Sequence, residues 1–149
     1  MTNRATTTVT HSSIDVGGVK IAYREAGKRD KPKIVLLHGF PWSSHQYRDL
    51  IRALSDRFHV VAPDYPGFGN SDTPDPSEYA YTFDNLSLAM EGFLSARGFH
   101  QYRLYVQDYG GPVGFRGNSS PRRGPFCRGR SPRLHLGTYA FVLRSSCGD

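Results

Sequence analysis

One stretch of the chain combines an acidic side chain with a local pattern that can expose a reactive group. The apolar run Leu104–Val106 leads through Gln107 to Asp108, and Gly110 and Gly111 follow at once. A strand that turns sharply into a helix must pass through a strained residue, and small neighbours relieve the crowding. This pattern predicts a nucleophile elbow, whose carboxylate can attack a carbon electrophile. A simpler interpretation stays open, in which Asp108 caps the helix after a buried strand.

The residues before this stretch read as alternating strands and helices. Apolar residues at alternate positions predict a β-hairpin over 14–26. The continuous run Ile34–Leu37 predicts a strand buried on both faces of a mostly parallel sheet. Further elements are a helix capped by Ser43 or Ser44 and running to about Arg57, a strand over 58–62, a helix ending near Gly98 and a strand over 103–107. This order predicts an α/β fold with helices on both faces of the sheet.

The basic charge of the chain is confined to its end. Residues 1–117 carry 13 Lys and Arg against 12 Asp and Glu, whereas residues 118–149 carry 6 Arg against one Asp. The net charge of +6 therefore says little about the body of the chain, for which we expect neither a nucleic-acid nor a membrane partner. Both cysteines, Cys127 and Cys147, also lie in the tail, which excludes a disulfide framework or a cysteine-based metal site from the body.

Composition predicts three segments. Residues 1–13 are polar and rich in threonine, which predicts a disordered N-terminus, and 14–117 form the body. Residues 118–149 are expected to be an irregular basic tail, because three prolines and three glycines within 117–132 exclude a continuous helix there. With no apolar leader and no membrane-length apolar run, we expect a cytoplasmic protein. The sequence leaves its oligomeric state open.

Four motifs occur in a fixed order along the body, namely His38–Pro41, Asp64–Asp72, Thr82–Asp84 and Val106–Gly111. In this order and spacing, residues 14–116 resemble the N-terminal part of an α/β-hydrolase of the epoxide hydrolase and haloalkane dehalogenase group. The resemblance implies the N-terminal portion of an α/β-hydrolase fold, truncated after the nucleophile elbow. It also implies a hydrolase for a small-molecule substrate, with no cofactor and no metal.

The resemblance implies roles for particular residues. Asp108 would attack carbon to give an alkyl ester that water hydrolyses, and the backbone N–H groups of Phe40 and Tyr109 would form the oxyanion hole. His38 and Gly39 would shape the turn that presents Phe40. We expect His38 to be a structural histidine rather than the general base.

Other residues of these motifs are expected to support the site. Pro41, Gly110 and Gly111 would hold the backbone near Asp108. Trp42 would line a substrate pocket or, equally, belong to the core. The loop residues Gly67, Gly69, Ser71 and Asp72 are expected to fix a loop conformation under the site.

The substrate prediction depends on the neighbours of Asp108. In dehalogenases of this group, a tryptophan after the nucleophile and often an asparagine after His-Gly hold the halide. Here these positions are Tyr109 and Phe40, which offer neither the indole N–H nor the amide donor. The resemblance therefore favours an epoxide hydrolase, with a haloalkane dehalogenase or an ester hydrolase as the alternative.

The family order places an acid, a histidine and a helical lid after the nucleophile, beyond residue 116. His135 is the one histidine downstream, and it is not assigned a catalytic role. We therefore expect an incomplete, inactive chain in which the strand before Asp108 has an open edge. One hypothesis is that a frame change after Arg116 produced the tail, which the other reading frames of the nucleotide sequence would test.

A non-catalytic alternative is an RNA-binding protein that acts through its tail. Basic, glycine-containing segments bind the RNA backbone. Against it, Phe126 is the one aromatic residue near the arginines, and no motif repeats. The arginines concerned are Arg122, Arg123, Arg128, Arg130 and Arg133.

Overall fold

The computed structural model describes residues 8–119 and 141–145. Six strands form one sheet in the order β1-β2-β4-β3-β5-β6. The strands are β1 (Thr10–Val16), β2 (Val19–Ala26), β3 (Lys33–Leu37), β4 (His59–Pro63), β5 (Tyr102–Val106) and β6 (Phe141–Ser145). A 3₁₀ turn (Ser44–Tyr47) and three helices, α1 (Arg48–Leu54), α2 (Phe83–Ala96) and α3 (Gly110–Ser119), connect them.

The three central strands run parallel to one another. Strand β3 pairs in parallel with β4 on one side and with β5 on the other, and Leu37 lies opposite Val106. The outer pairings β1–β2, β2–β4 and β5–β6 are antiparallel. Because β3 and β5 are parallel neighbours, the loops that follow them emerge at the same edge of the sheet. This places the turn after Leu37 beside the turn after Val106.

Apolar residues cover both faces of the sheet. Successive strand residues point to opposite faces, so Val61 of β4 faces α2 whereas its neighbours Val60 and Ala62 face α1. The α1 side also buries Leu36, Tyr47 and Ile51, and the α2 side buries Val35, Met90, Phe93, Leu104 and Val113. Two covered faces explain why β3 and β4 are continuous apolar runs. The predicted α/β fold with helices on both faces is therefore confirmed.

The N-terminal elements differ from the prediction at their bounds. Residues 10–13, expected to be disordered, belong to β1, because Thr10 pairs with Glu25 and the hairpin ladder runs to its tip. Residues 1–7 lie outside the described part. The first helix is shorter than predicted. It runs from Arg48 to Leu54, and the residues before it form the separate 3₁₀ turn. Ser43 caps that turn, accepting a hydrogen bond from the His45 N–H at 3.3 Å.

Two elements reach into the segment that was expected to be irregular. Helix α3 (Gly110–Ser119) includes Asn118 and Ser119 of that segment. Strand β6 pairs antiparallel with β5, with Phe141 opposite Val106. The expectation of an open β5 edge is therefore wrong. The rest of the predicted tail lies outside the described residues.

None of the helices within 8–119 combines the length and the apolar character that a membrane crossing requires.

The pairing of β6 with β5 leads to a prediction about association. A chain shortened to end at Ala140 would leave the β5 backbone unpaired along that edge, which favours pairing with another chain. We expect a larger, concentration-dependent mass by size-exclusion chromatography with light scattering. A chain ending at Ser145 keeps β6 and is the control. Equal masses for the two truncated chains would contradict the prediction.

Candidate active site

Asp108 lies at a backbone turn between β5 and α3. Its φ of 50° is the one positive value among the described non-glycine residues. The turn closes through two hydrogen bonds, from the Gly110 N–H to the Gln107 carbonyl at 2.9 Å and from the Gly111 N–H to the Asp108 carbonyl at 2.9 Å. A left-handed conformation costs about 1–3 kcal/mol for such a residue, although aspartate tolerates it better than most. The backbone is therefore strained at the position where the sequence predicts an elbow.

Glycines allow two backbone segments to approach this turn. A Cβ atom on Gly110 would lie 2.4 Å from the Leu37 carbonyl oxygen, and one on Gly39 would lie 2.7 Å from the Asp108 Cβ. Both distances are shorter than packed side chains permit. The end of β3 and the turn after it can therefore sit against Asp108 only with glycine at 39 and 110. At Gly111 the nearest atom would be 3.9 Å away, so this position tolerates a side chain.

The Asp108 carboxylate is exposed and contacts one of the predicted oxyanion-hole donors. The Phe40 N–H donates a hydrogen bond to Asp108 Oδ2 at 3.1 Å. The Tyr109 N–H follows Asp108 directly and has no acceptor among residues 8–119. The structure thus brings together Asp108, Phe40 and Tyr109, as the sequence predicts, with Oδ2 next to a backbone donor and Oδ1 free of protein donors in this part of the chain.

His38 is buried beneath this loop and has both ring nitrogens occupied. Nδ1 lies 3.0 Å from the Gly39 carbonyl and Nε2 lies 3.4 Å from the Tyr65 N–H. The Tyr65 hydroxyl also donates to the His38 carbonyl at 2.9 Å. Burial lowers the pKa of His38, and the bonds fit a neutral ring with the proton on Nδ1. This arrangement supports a structural role for His38.

Aromatic side chains of the residues next to Asp108 pack against one another. The ring centroids of Phe40 and Tyr109 are 5.4 Å apart, and Phe83 packs edge-on behind Tyr109 at 4.9 Å. Phe40 is 55% exposed and Trp42 is 63% exposed. The alternative that Trp42 belongs to the core is therefore wrong. Phe40 and Trp42 thus leave much of their apolar surface open, and Pro41 lies between them after a cis Phe40–Pro41 bond.

Tyr47 anchors the end of β3, a role that its place in the sequence does not reveal. The Tyr47 hydroxyl donates to the Leu37 carbonyl at 2.8 Å, and the Gln107 N–H reaches the same oxygen at 3.3 Å. Burial raises the pKa of Tyr47, so its hydroxyl keeps the proton it donates. The side chains of Gln46 and Gln107 are joined at 3.1 Å. In the sequence, Tyr47 is the first of the apolar positions at helical spacing that include Leu50, Ile51 and Leu54, and this periodicity does not reveal the partner of a hydroxyl group.

Asp64 is a second residue whose role the sequence did not reveal. It is 2% exposed, and its carboxylate accepts the Ser44 N–H at 2.6 Å and the Asn70 N–H at 3.0 Å. A Cβ atom on Gly69 would lie 2.2 Å from Asp64 Oδ2, which explains the glycine. The Ser71 hydroxyl donates to the Asp64 carbonyl at 2.7 Å. These contacts give the glycine-rich loop after β4 its conformation.

Comparisons with known proteins agree with this architecture. A family model described as the alpha/beta hydrolase fold matches residues 32–116. The uncharacterized hydrolase YNR064C of Saccharomyces cerevisiae is 48% identical over 99 residues, which are 66% of this chain and 33% of that protein. A haloalkane dehalogenase of Bradyrhizobium diazoefficiens is 38% identical over 112 residues, which are 75% of this chain and 34% of that protein.

A solved structure of a third relative extends the likeness to three dimensions. Epoxide hydrolase VrEH1 from Vigna radiata superposes with a TM-score of 0.67 at 31% identity, covering 73% of this chain and 35% of that one. The chain thus spans about a third of the length of these relatives.

The glycines at the turn offer a matched pair of substitutions. Gly110→Ala places a Cβ 2.4 Å from a backbone oxygen, so we expect a loss of about 1–3 kcal/mol or more in the free energy of unfolding. A Cβ atom at Gly111 would lie no closer than 3.9 Å to another side chain, so Gly111→Ala should fit. Because Gly111 lies in α3, alanine should stabilise the helix relative to glycine by up to about 1 kcal/mol. Urea denaturation of both variants measures the difference. Equal losses would contradict the close approach at Gly110.

The buried His38 predicts a pH dependence of stability. Its pKa in the folded protein lies below the ordinary 6.5, so below that pH the unfolded chain binds a proton that the folded chain lacks. The free energy of unfolding should therefore fall as pH drops below 6.5, by at most about 1.4 kcal/mol per pH unit from this group. We expect His38→Gln to flatten this slope in denaturation curves between pH 7.5 and 5. His100→Gln, at an exposed position, should leave it unchanged.

Proposed function

This chain belongs to the α/β-hydrolase fold family, and from that premise we propose that it carries the nucleophile part of a hydrolase that attacks carbon with Asp108. The observation that carries the proposal is the contact at this residue. A carboxylate on a strained backbone, with φ of 50°, accepts the Phe40 N–H at 3.1 Å and remains exposed. A residue that merely capped α3 would need neither the strain nor a donor from another loop.

The contact supports different roles for the two carboxylate oxygens. Oδ2 accepts the Phe40 N–H, whereas Oδ1 accepts no hydrogen bond from the described residues. Oδ1 would therefore be the attacking oxygen, and Oδ2 would become the carbonyl oxygen of the ester. When water later attacks the ester carbon, negative charge develops on Oδ2. The N–H groups of Phe40 and Tyr109 would stabilise that charge.

With an epoxide, the first step releases no leaving group, because the ring oxygen stays attached to the product. Oδ1 forms a bond to a ring carbon, the bond between that carbon and the ring oxygen breaks, and the resulting alkoxide takes a proton from water. The second step adds water to the ester and releases a diol together with the free carboxylate. This step needs a general base to remove a proton from water.

The immediate surroundings of Asp108 favour epoxides as substrates. Phe40 and Tyr109 pack their rings together at 5.4 Å and place no indole N–H or side-chain amide beside the carboxylate. A chloroalkane must release an anion, which such donors stabilise, whereas an epoxide retains its oxygen. A haloalkane dehalogenase is the second candidate, because a relative of that activity is 38% identical to this chain.

We expect this chain to carry out the alkylation step but not the hydrolysis of the ester. Both nitrogens of His38 already have backbone partners, so His38 does not fit the role of general base. The resemblance places the acid, the histidine and the lid after the elbow, and this chain spans about a third of its relatives. We therefore expect Asp108 to be alkylated at most once, with no steady-state turnover.

Mass spectrometry of the intact chain tests this chemistry. We expect incubation with styrene oxide to add one whole epoxide to Asp108, as a stable ester that peptide mapping locates. A chloroalkane should react more slowly, by loss of chloride. Asp108→Asn should remove the adduct, and Asp56→Asn, at an exposed position, should not.

Each other outcome has a definite meaning. An adduct that persists in Asp108→Asn would overturn the nucleophile assignment. A faster reaction with the chloroalkane would favour the dehalogenase candidate. Repeated turnover by the present chain would contradict the requirement for a separate general base.

A further inference from the structure

A polar cavity lies between the β1–β2 hairpin and the 3₁₀ turn. Its volume is about 270 Å³. Polar and cationic side chains line most of it, among them His11, Ser12, Lys20, Arg24 and Asn70. Neither Asp108 nor Phe40 contributes to its lining, so the cavity is separate from the candidate active site.

Arg24 is the central cation of this cavity. Its guanidinium donates from Nε to the Ser44 hydroxyl at 3.1 Å, from Nη1 to His11 Nε2 at 3.0 Å and from Nη2 to His45 Nδ1 at 3.2 Å. All three acceptors are neutral, since a ring nitrogen that accepts a hydrogen bond carries no proton. None of the ion pairs among residues 8–119 includes Arg24. The three hydrogen bonds therefore fix the position of the guanidinium, and no carboxylate within residues 8–119 forms an ion pair with it.

The guanidinium also has unused hydrogen-bonding capacity. It carries five N–H groups, of which three are used, so that Nη1 and Nη2 each retain one. A phosphate oxygen is a strong acceptor for such groups, and arginine is the residue best suited to it. The hydroxyl of Ser12 and the amide of Asn70 can provide additional neutral donors at the wall of the cavity.

The carboxylates near the cavity leave room for an anion. Asp64 lines it, but both of its oxygens already accept backbone N–H groups, from Ser44 and Asn70. Asp72 lies 3.4 Å from the Lys20 ammonium group, outside the lining of the cavity. Lys20 and Arg24 thus line the cavity together with one carboxylate, Asp64, and of the two cations only Lys20 has a carboxylate partner within residues 8–119.

We propose that this cavity binds a phosphate group, with Arg24 as its principal ligand and Lys20 as a second cation. Its volume exceeds that of inorganic phosphate and can also hold a small organic group esterified to it. The site would be a ligand-binding site apart from the hydrolytic chemistry, and it does not depend on Asp108.

Phosphate titration followed by ¹H–¹⁵N NMR tests the proposal, at constant ionic strength maintained with sodium chloride. We expect saturable shifts of the Arg24 side-chain N–H and of the Ser12 backbone N–H. Arg24→Gln should weaken binding at least tenfold. Arg52→Gln removes the same charge from an exposed position of α1 and should bind phosphate as the unaltered chain does.

A second variant keeps the test decisive if Arg24→Gln disturbs the hairpin. Lys20→Gln changes an exposed side chain, retains Arg24 and should weaken binding severalfold. Parallel titrations with inorganic phosphate and with phenyl phosphate identify the type of ligand. Tighter binding of phenyl phosphate would indicate a phosphomonoester, and tighter binding of inorganic phosphate would indicate free phosphate. Shifts that chloride alone reproduces, or that neither variant reduces, would overturn the proposal. Asp108→Asn should bind phosphate normally, which separates this result from the hydrolase proposal.

Discussion

The carbonyl oxygen of Leu37 is the point on which the arrangement of the candidate site depends. It ends β3, accepts the Tyr47 hydroxyl at 2.8 Å and lies 3.3 Å from the Gln107 N–H. The same oxygen would be 2.4 Å from a Cβ atom at Gly110. One acceptor therefore joins the end of β3, the 3₁₀ turn and the turn that contains Asp108. An unpaired carbonyl here would cost about 1–3 kcal/mol, so these contacts stabilise one another.

A second buried network supports the loop side of the site. Asp64 directly follows β4 and accepts hydrogen bonds from the N–H groups of Ser44, in the 3₁₀ turn, and Asn70, in the loop after β4. Backbone donors solvate its charge in place of water, a form of pairing that buried carboxylates require. The Ser44 hydroxyl also accepts a hydrogen bond from Arg24, and both residues line the polar cavity beside the β1–β2 hairpin. The loop after β3 is thus held by the Leu37 carbonyl on one side and by Asp64 on the other, and it lies against the exposed Asp108.

The sequence predicted the sheet, both helical layers and the position of the turn, because each depends on local periodicity and on glycine placement. Asp108, Gly110 and Phe40 meet as predicted, since parallel neighbours β3 and β5 bring their ends together. Contacts made across long separations were not predictable: the hydroxyl of Tyr47 and the carboxylate of Asp64 have backbone partners that no periodic pattern reveals. Strand β6 was missed for the same reason, as its five residues become a strand only beside β5.

The antiparallel strand β6 occupies the edge of β5 that lies opposite β3. It is covalently tethered, so its effective concentration at that edge is on the order of millimolar. A separate polypeptide that completed the sheet in trans would have to displace this internal competitor before it could form its own ladder. Reassembly of a whole hydrolase from this chain and a complementary fragment is therefore an exchange reaction, whose equilibrium is set by the difference between two strand pairings.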